Sequence, residues 1–232
     1  MNTVRKTCLN WSTGKDAAFA LYQLLKDDSY QVEHLLTTLS QELDRVSMHG
    51  IRSELLMQQF ECIGIPFTII KLPKAIDNKY YEQIMGKELL RLKENDQIGF
   101  AAYGDVLLED LKVYREQHLN KIGYELVLPL WARDTTELIY EMIDLGFKTI
   151  VVSVDAQVLD RSFLGRVIDK EFVRDLPKNV DPCGENGEFH TFCFDAPYFK
   201  RSIDFKIGEK VLKTYSHNGE DYGFWFCDLL PI

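Results

Sequence analysis

Nine residues, Leu9-Asn10-Trp11-Ser12-Thr13-Gly14-Lys15-Asp16-Ala17, carry the first sign of chemistry. They follow an apolar run, Val4 to Leu9, interrupted by Arg5 and Lys6, and they precede a helical pattern. In that pattern Ala17, Ala20, Leu21, Leu24 and Leu25 share one face. A strand that turns through Ser, Thr and Gly into a helix start presents backbone N–H groups that lack intrahelical acceptors. Those groups and the helix dipole favour an anion, commonly a phosphate. Nucleotide chemistry is the leading expectation. The alternative is a capping box, with Thr13 capping and Asp16 reaching back. Two familiar phosphate loops do not fit. A Walker loop needs Gly and Ser/Thr where Leu9 and Asp16 stand, and no G-x-G-x-x-G follows a predicted strand.

A second dense stretch is Asp181-Pro182-Cys183-Gly184-Glu185-Asn186-Gly187-Glu188-Phe189-His190-Thr191-Phe192. Glu185, Asn186, Glu188, His190 and Thr191 supply carboxylates, an amide, an imidazole and a hydroxyl. Gly184 and Gly187 permit close backbone approach. Such groups could position an amine, move a proton or hold magnesium. The alternative is a hairpin turn at Asn186-Gly187, feeding a strand in which His190, Phe192 and Phe194 alternate with Phe189, Thr191 and Cys193. Smaller candidates share this ambiguity. Asp105, after Gly104, could bind magnesium or a ribose hydroxyl, or cap a helix. Asp134 has the same two readings, and Trp131 suits a core. His49 before Gly50 could touch a ligand or simply turn the chain. Asp44 and Arg45 read as solvated loop charges, and Glu109 to Lys112 as a wet helix face. Cys183 has no assignable partner to orient a base, so a nucleophilic role is disfavoured.

Strands alternating with helices must hold these groups. Val4–Asn10, Val32–Leu39, Phe67–Leu72 and Ile98–Tyr103 read as strands. Helices fit about Lys15–Lys26, a segment with Leu56, Phe60 and Ile63 in one stripe, about Lys79–Glu94, and a segment with Leu107, Leu111 and Tyr114. This is an α/β pattern, a parallel sheet with helices on both faces. Ligands in such sheets bind beyond the strand carboxyl ends. The Ser12–Asp16 turn, the Ser40–His49 loop and Gly104-Asp105 all fall there. The first domain is placed at 1–124. A smaller α+β domain, closely packed and without a linker, is placed at 125–232. It has a helix with Leu138, Met142 and Leu145, a strand at Lys148–Val154, and an Asn218-Gly219 turn between Val211–Tyr215 and Tyr222–Phe226.

The 232 residues are 46% hydrophobic, enough for a core, and the net charge of -9 disfavours a broad nucleic-acid surface. No apolar run is long enough to span a membrane, and no long apolar leader opens the chain, so the cytoplasm is the expected compartment. Five scattered cysteines, without a C-x-x-C pair, read as reduced thiols.

Together the motifs resemble a known family. Trp11 to Asp16 resembles the PP-loop, the pyrophosphate-binding turn of ATP-pyrophosphatases. Asp181 to Phe192, continuing to Asp195-Ala196-Pro197, resembles the signature of diphthine–ammonia ligases. His49-Gly50, Gly104-Asp105, and Pro129-Leu130-Trp131 with Asp134 fall in the same order. The resemblance implies an adenine-nucleotide α-hydrolase-like fold, and cleavage of ATP to AMP and pyrophosphate. A carboxylate, small or protein-borne, becomes an acyl-adenylate and ammonia converts it to an amide. It implies that Ser12, Thr13 and Gly14 cradle phosphates, that Lys15 neutralises their charge, and that Asp16 holds Mg2+. Gly104 and Asp105 join the nucleotide site. Glu185, Glu188 and His190 face the acyl carbon or ammonia, and Gly184, Asn186, Gly187 and Thr191 line the substrate. A homo-oligomer is compatible with the sequence. The chain departs from the family pattern at Thr13, which replaces a loop glycine, and at Ala17, which replaces a Ser or Thr. Those departures keep a non-catalytic nucleotide-binding protein as an alternative, beside a tRNA-modifying PP-loop enzyme.

Overall fold

The computed structural model describes residues 4–46, 49–74, 76–217 and 220–232. In chain order the elements are β1 (Arg5–Asn10), α1 (Lys15–Lys26), β2 (Tyr30–Ser40), β3 (Arg45–Val46), α2 (Ser53–Ile63), β4 (Phe67–Leu72), α3 (Asn78–Asp96), β5 (Phe100–Ala102), α4 (Glu109–Lys121) and β6 (Glu125–Val127). There follow α5 (Thr135–Asp144), β7 (Lys148–Asp155), a short 3-10 turn at Arg161–Phe163, α6 (Lys170–Asp175), β8 (Phe189–Asp195), β9 (Phe205–His217) and β10 (Glu220–Pro231). The chain forms two compact units. One comprises Met1–Ser12, Asp16–Asp44 and Gly64–Ala132; the other comprises Thr13–Lys15, Arg45–Ile63 and Arg133–Ile232.

In the first unit five strands pair in the order β4-β2-β1-β5-β6, every pair parallel, with helices flanking the sheet. The connections run outward in opposite directions from β1 and β5. A parallel sheet opens a ligand crevice at such a reversal, outside the strand carboxyl ends. Cys8 pairs with Ala101 and Leu9 with Ala102, so β1 and β5 leave the sheet side by side. The approach is close. A β-carbon on Gly104 would stand 2.7 Å from the Asp16 carbonyl carbon and 2.9 Å from the Ala17 nitrogen. Only glycine lets the exit of β5 lie against the start of α1.

The core of this unit joins Cys8, Leu36, Met85, Leu89, Leu92, Ala101, Leu119 and Tyr124. The Tyr124 hydroxyl donates to the Leu89 carbonyl at 2.6 Å, which satisfies its one polar atom inside the core. Two residues expected on apolar faces are outside. Leu25 is 49% exposed, while Ala18 and Phe19 earlier in α1 are fully buried. The helix is enclosed on several sides at its start and emerges in its last turn. Leu107 precedes α4 and is exposed, because that helix begins at Glu109.

In the second unit four strands pair antiparallel in the order β8-β7-β10-β9. Val211 opposes Phe226 and Tyr215 opposes Tyr222, the register expected of the hairpin. Its turn, Asn218-Gly219, lies outside the described residues. Asp134 caps α5 by accepting the Glu137 N–H at 2.9 Å. The five cysteines are buried thiols. Burial raises the thiol pKa of Cys8, with the Glu88 charge adding to it, and burial likewise raises that of Cys193. Among the described residues no helix is long and apolar enough to cross a membrane.

Arg45 is not the solvated loop charge expected from sequence. Arg45 and Arg52 face each other across an antiparallel bridge, and Asp228 of β10 joins them. Arg45 donates to Asp228 Oδ1 at 2.8 Å and to the Gly50 carbonyl at 2.7 Å. Arg52 donates to both carboxylate oxygens, at 3.1 and 2.7 Å. This clamp fixes the segment that carries His49. Burial alone would raise the Asp228 carboxyl; the hydrogen bonds and charges of Arg52 and Arg45 outweigh it and pull it down to about 2. A depressed carboxyl stabilises the fold above its unfolded value and loses that contribution as pH falls through its folded value. In denaturant titrations the native chain should therefore lose about 2 kcal/mol more than Asp228→Asn between about pH 4 and pH 2. Parallel stability curves for the two proteins would contradict the clamp.

Candidate active site

The turn between β1 and α1 is built around a strained residue. Thr13 adopts φ 76°, the left-handed region that a β-branched side chain rarely enters. Its carbonyl accepts the Cys193 N–H at 2.9 Å and Gln59 Nε2 at 3.0 Å. The same Gln59 nitrogen donates to the Cys193 carbonyl at 2.7 Å. Thr13 and Gln59 are both fully buried. Because β8 is an edge strand, the Cys193 N–H and carbonyl that face away from β7 need partners. Thr13 and Gln59 provide them.

The start of α1 is tied to residues distant in sequence. Gly14, which has no side chain, precedes the first helical residue, and the Thr13 hydroxyl lies 3.4 Å from His49 Nδ1. The first donor of α1 is met from β8, since the Lys15 N–H donates to Thr191 Oγ1 at 2.9 Å. Gly14 fits tightly. A β-carbon there would stand 2.7 Å from His49 Cε1 and 3.2 Å from the Thr191 carbonyl oxygen. The His49 ring stacks on His190, with centroids 5.1 Å apart.

Lys15 is 3% exposed. Its ammonium lies 3.9 Å from Glu185 Oε1 and 5.7 Å from the Phe189 ring centre. The two stretches singled out in the sequence thus meet at Thr191, Cys193 and Glu185. The segment 181–188 is held by its own acids. Asp181 Oδ1 accepts the N–H groups of Cys183 and Glu185 at 2.8 and 3.3 Å, and its Oδ2 accepts the Thr135 hydroxyl at 2.7 Å. Glu188 turns back onto the loop. It accepts the Asp181 N–H, the Asn186 N–H and Asn186 Nδ2, each at 2.9 Å. Burial would raise its carboxyl, yet these bonds hold it below the ordinary range. Gly184 and Gly187 take φ 73° and 85°. Asn186-Gly187 does not join two strands, because β8 pairs with β7. The Cys183 thiol is buried and donates to the Thr135 carbonyl at 3.2 Å, a structural role.

In the first unit Ser12 and Asp16 are half-buried at the ends of the turn, and Gly104 abuts Asp16. Asp105 neither caps α4 nor stands alone. Arg115 donates to both its oxygens, at 2.6 and 3.2 Å, and lies over the Tyr103 ring at 3.7 Å. Among the described residues no cluster of three or more His, Cys, Asp or Glu forms a metal cage. A single carboxylate suits Mg2+, which keeps water and phosphate oxygens as its other ligands. The residue that sequence reasoning missed is Gln59. A signal was present, since it is a polar residue among the buried Leu55, Leu56, Phe60 and Cys62 of α2.

Burial first, then the charges of His190 and Lys15, push the His49 imidazole down to about 3, against a raising hydrogen bond at Thr191. An unfolded histidine takes its proton near pH 6.5, so between about pH 6.5 and 3 the unfolded chain binds more protons. Stability rises with pH across that window and falls on acidification. Histidine NMR signals of His49 should therefore stay those of the neutral ring from about pH 8 down to about pH 4. A transition near pH 6.5 would show that the ring is hydrated and not packed on Gly14.

Comparison with known proteins identifies the pattern. The diphthamide synthase N-terminal domain matches residues 5–126, and the diphthamide synthase C-terminal domain matches residues 134–221. A mouse (Mus musculus) diphthine–ammonia ligase is 28% identical over 229 residues, which cover 88% of this chain and 84% of that protein. The zebrafish (Danio rerio) protein of the same name is 26% identical over 88% of this chain and 87% of its own length. The human (Homo sapiens) one is 30% identical over 55% of this chain and 50% of its own length. The turn locked to β8 and the acid-rich segment beside it are therefore features of a chain that belongs to the diphthamide synthase family.

Proposed function

We propose that this chain is an ATP-dependent amide ligase that activates a carboxylate and joins it to ammonia, with AMP and pyrophosphate as by-products. The observation that carries this reading is the pairing of buried Lys15 with half-buried Glu185, a cation from the phosphate-type turn beside an acid from the second motif. A substrate carboxylate oxygen attacks the α-phosphorus of ATP, the bond to the bridging oxygen breaks, and pyrophosphate leaves. Ammonia then attacks the acyl carbon, loses a proton, and AMP departs. Diphthine, named for the relatives, is the first carboxylate to offer.

The roles proposed are those that the family resemblance implies for these residues, Glu188 excepted. Ser12, Thr13 and Gly14 cradle the β and γ phosphates with backbone N–H groups, and Lys15 neutralises their charge. Asp16 would hold Mg2+, which would supply charge neutralisation on the triphosphate. Gly104 lets the β5 exit approach Asp16, and Asp105, set by Arg115, would meet a ribose hydroxyl. Glu185 receives the ammonia proton, and His190 orients the acyl group. Glu188, committed to the backbone of its own loop, shapes the Gly184–Thr191 cradle and does not act on substrate. The carboxyl-terminal half, from about residue 125, supplies the substrate side. A cytosolic setting suits five reduced cysteines.

The test is product analysis with ATP, Mg2+, ammonium and a diphthine-bearing protein. AMP and pyrophosphate should form in equal amounts, only with all four present. Glu185→Gln should lower kcat by about 10²-fold with KM for ATP within about three-fold. Lys15→Met should lower kcat/KM for ATP by about 10² or more. Production of ADP, or AMP formation indifferent to the carboxylate, overturns the reading.

A further inference from the structure

We infer that Gln59 is a positioning residue, whose task is to hold Thr13 in a glycine-like conformation so that the phosphate-binding turn keeps its shape without a glycine. The inference rests on the function proposed above for the turn, but its geometry stands independently of turnover. Thr13 carries φ 76°, where a β-branched side chain is strained and glycine is not. Its carbonyl is held from elsewhere in the chain. Gln59, 46 residues further on, aims one amide nitrogen at the Thr13 carbonyl and at the Cys193 carbonyl, at 3.0 and 2.7 Å. The Cys193 N–H reaches the same Thr13 oxygen at 2.9 Å. If Thr13 returned to an ordinary backbone conformation, its carbonyl would swing away, and two buried donors would lose an acceptor. Leaving buried groups unpaired costs more than an ordinary hydrogen bond gains. The network therefore makes the strained conformation the cheapest one available to the turn.

His49 closes the other side. Its ring packs where a β-carbon of Gly14 would be, 2.7 Å away, and its Nδ1 lies 3.4 Å from the Thr13 hydroxyl. Three residues, Cys193, Gln59 and His49, thus meet one threonine from three different elements or loops. Of these, Gln59 is the one whose side-chain chemistry is needed at the carbonyl, since Cys193 contributes only backbone.

The inference makes a coupling prediction that a merely structural glutamine would not. Gln59→Met keeps the side-chain volume and deletes the donor. In the chain with Thr13 it should lower kcat/KM for ATP by about ten-fold or more, mostly through KM, because the phosphate site is misshapen. In the Thr13→Gly background, measured against Thr13→Gly alone, the same substitution should cost less than about three-fold, because glycine holds the left-handed conformation unaided. Amide hydrogen exchange gives a readout free of turnover. The Cys193 N–H should exchange about ten-fold faster on Gln59→Met with Thr13, and by less than about three-fold with Thr13→Gly. Should Gln59→Met fail to fold while the double variant folds, the inference is upheld. Equal losses in both backgrounds, or equal failure to fold, overturn it. If the native chain turns over no ATP, the proposed function fails, and the exchange experiment still decides the role of Gln59.

Discussion

The outward edge of β8 needs hydrogen-bond partners, and it takes them from the turn after β1. The Thr13 carbonyl accepts from Cys193, and Gln59 bridges the two carbonyls. Because the bonds are to backbone, they fix where the turn lies along the strand, and they set the Thr191 hydroxyl opposite the Lys15 N–H. Once those positions are set, Lys15 can only reach into the space bounded by Glu185 and Phe189. The magnitudes are finely balanced. A non-glycine residue in the left-handed region costs about 1–3 kcal/mol. Two buried hydrogen bonds contribute about 0.5–1.5 kcal/mol each. Neither bond alone offsets the strain at its upper range, so the turn depends on both together.

The His49 segment is governed by a different kind of force. Two guanidinium groups converge on Asp228, and one of them also holds the Gly50 carbonyl. Asp228 thus ties Arg45 to Arg52 across a short bridge, and the bidentate geometry of Arg52 makes the tie directional. The loop then delivers a neutral imidazole against Gly14, a place where a charged ring would be expelled. Ion pairing at the base and apolar stacking at the tip divide the work of one short loop.

Much of this was readable beforehand because it rests on periodicity. The bounds of α1, the strand at Phe67–Leu72 and the pairing of Val211–Tyr215 with Tyr222–Phe226 follow from apolar spacing and turn residues. The parallel sheet follows from the alternation of those patterns. What escaped was set by contacts distant in sequence. Arg45 looked solvated because its acid is 183 residues away. Glu188 is a local case: the family resemblance placed it at the substrate, and residue type alone does not show that its carboxylate accepts from Asp181 and Asn186 of its own loop. Thr13 stood out as a departure from the family's loop glycine; its left-handed φ could not be read from a residue type that disfavours it. Gln59 looked like one more polar residue on an amphipathic helix, and its value came only from the strand edge beside it.

The cysteines have a use of their own. All five thiols are buried, and those of Cys8 and Cys193 are held far toward the protonated form, so a thiol-alkylating dye has nothing to attack while the chain is folded. Cys8 belongs to the unit with the parallel sheet, and Cys62, Cys183, Cys193 and Cys227 belong to the other. Mapping which sulfur is tagged first during gentle warming therefore records which of the two units unfolds first, with no engineered probe.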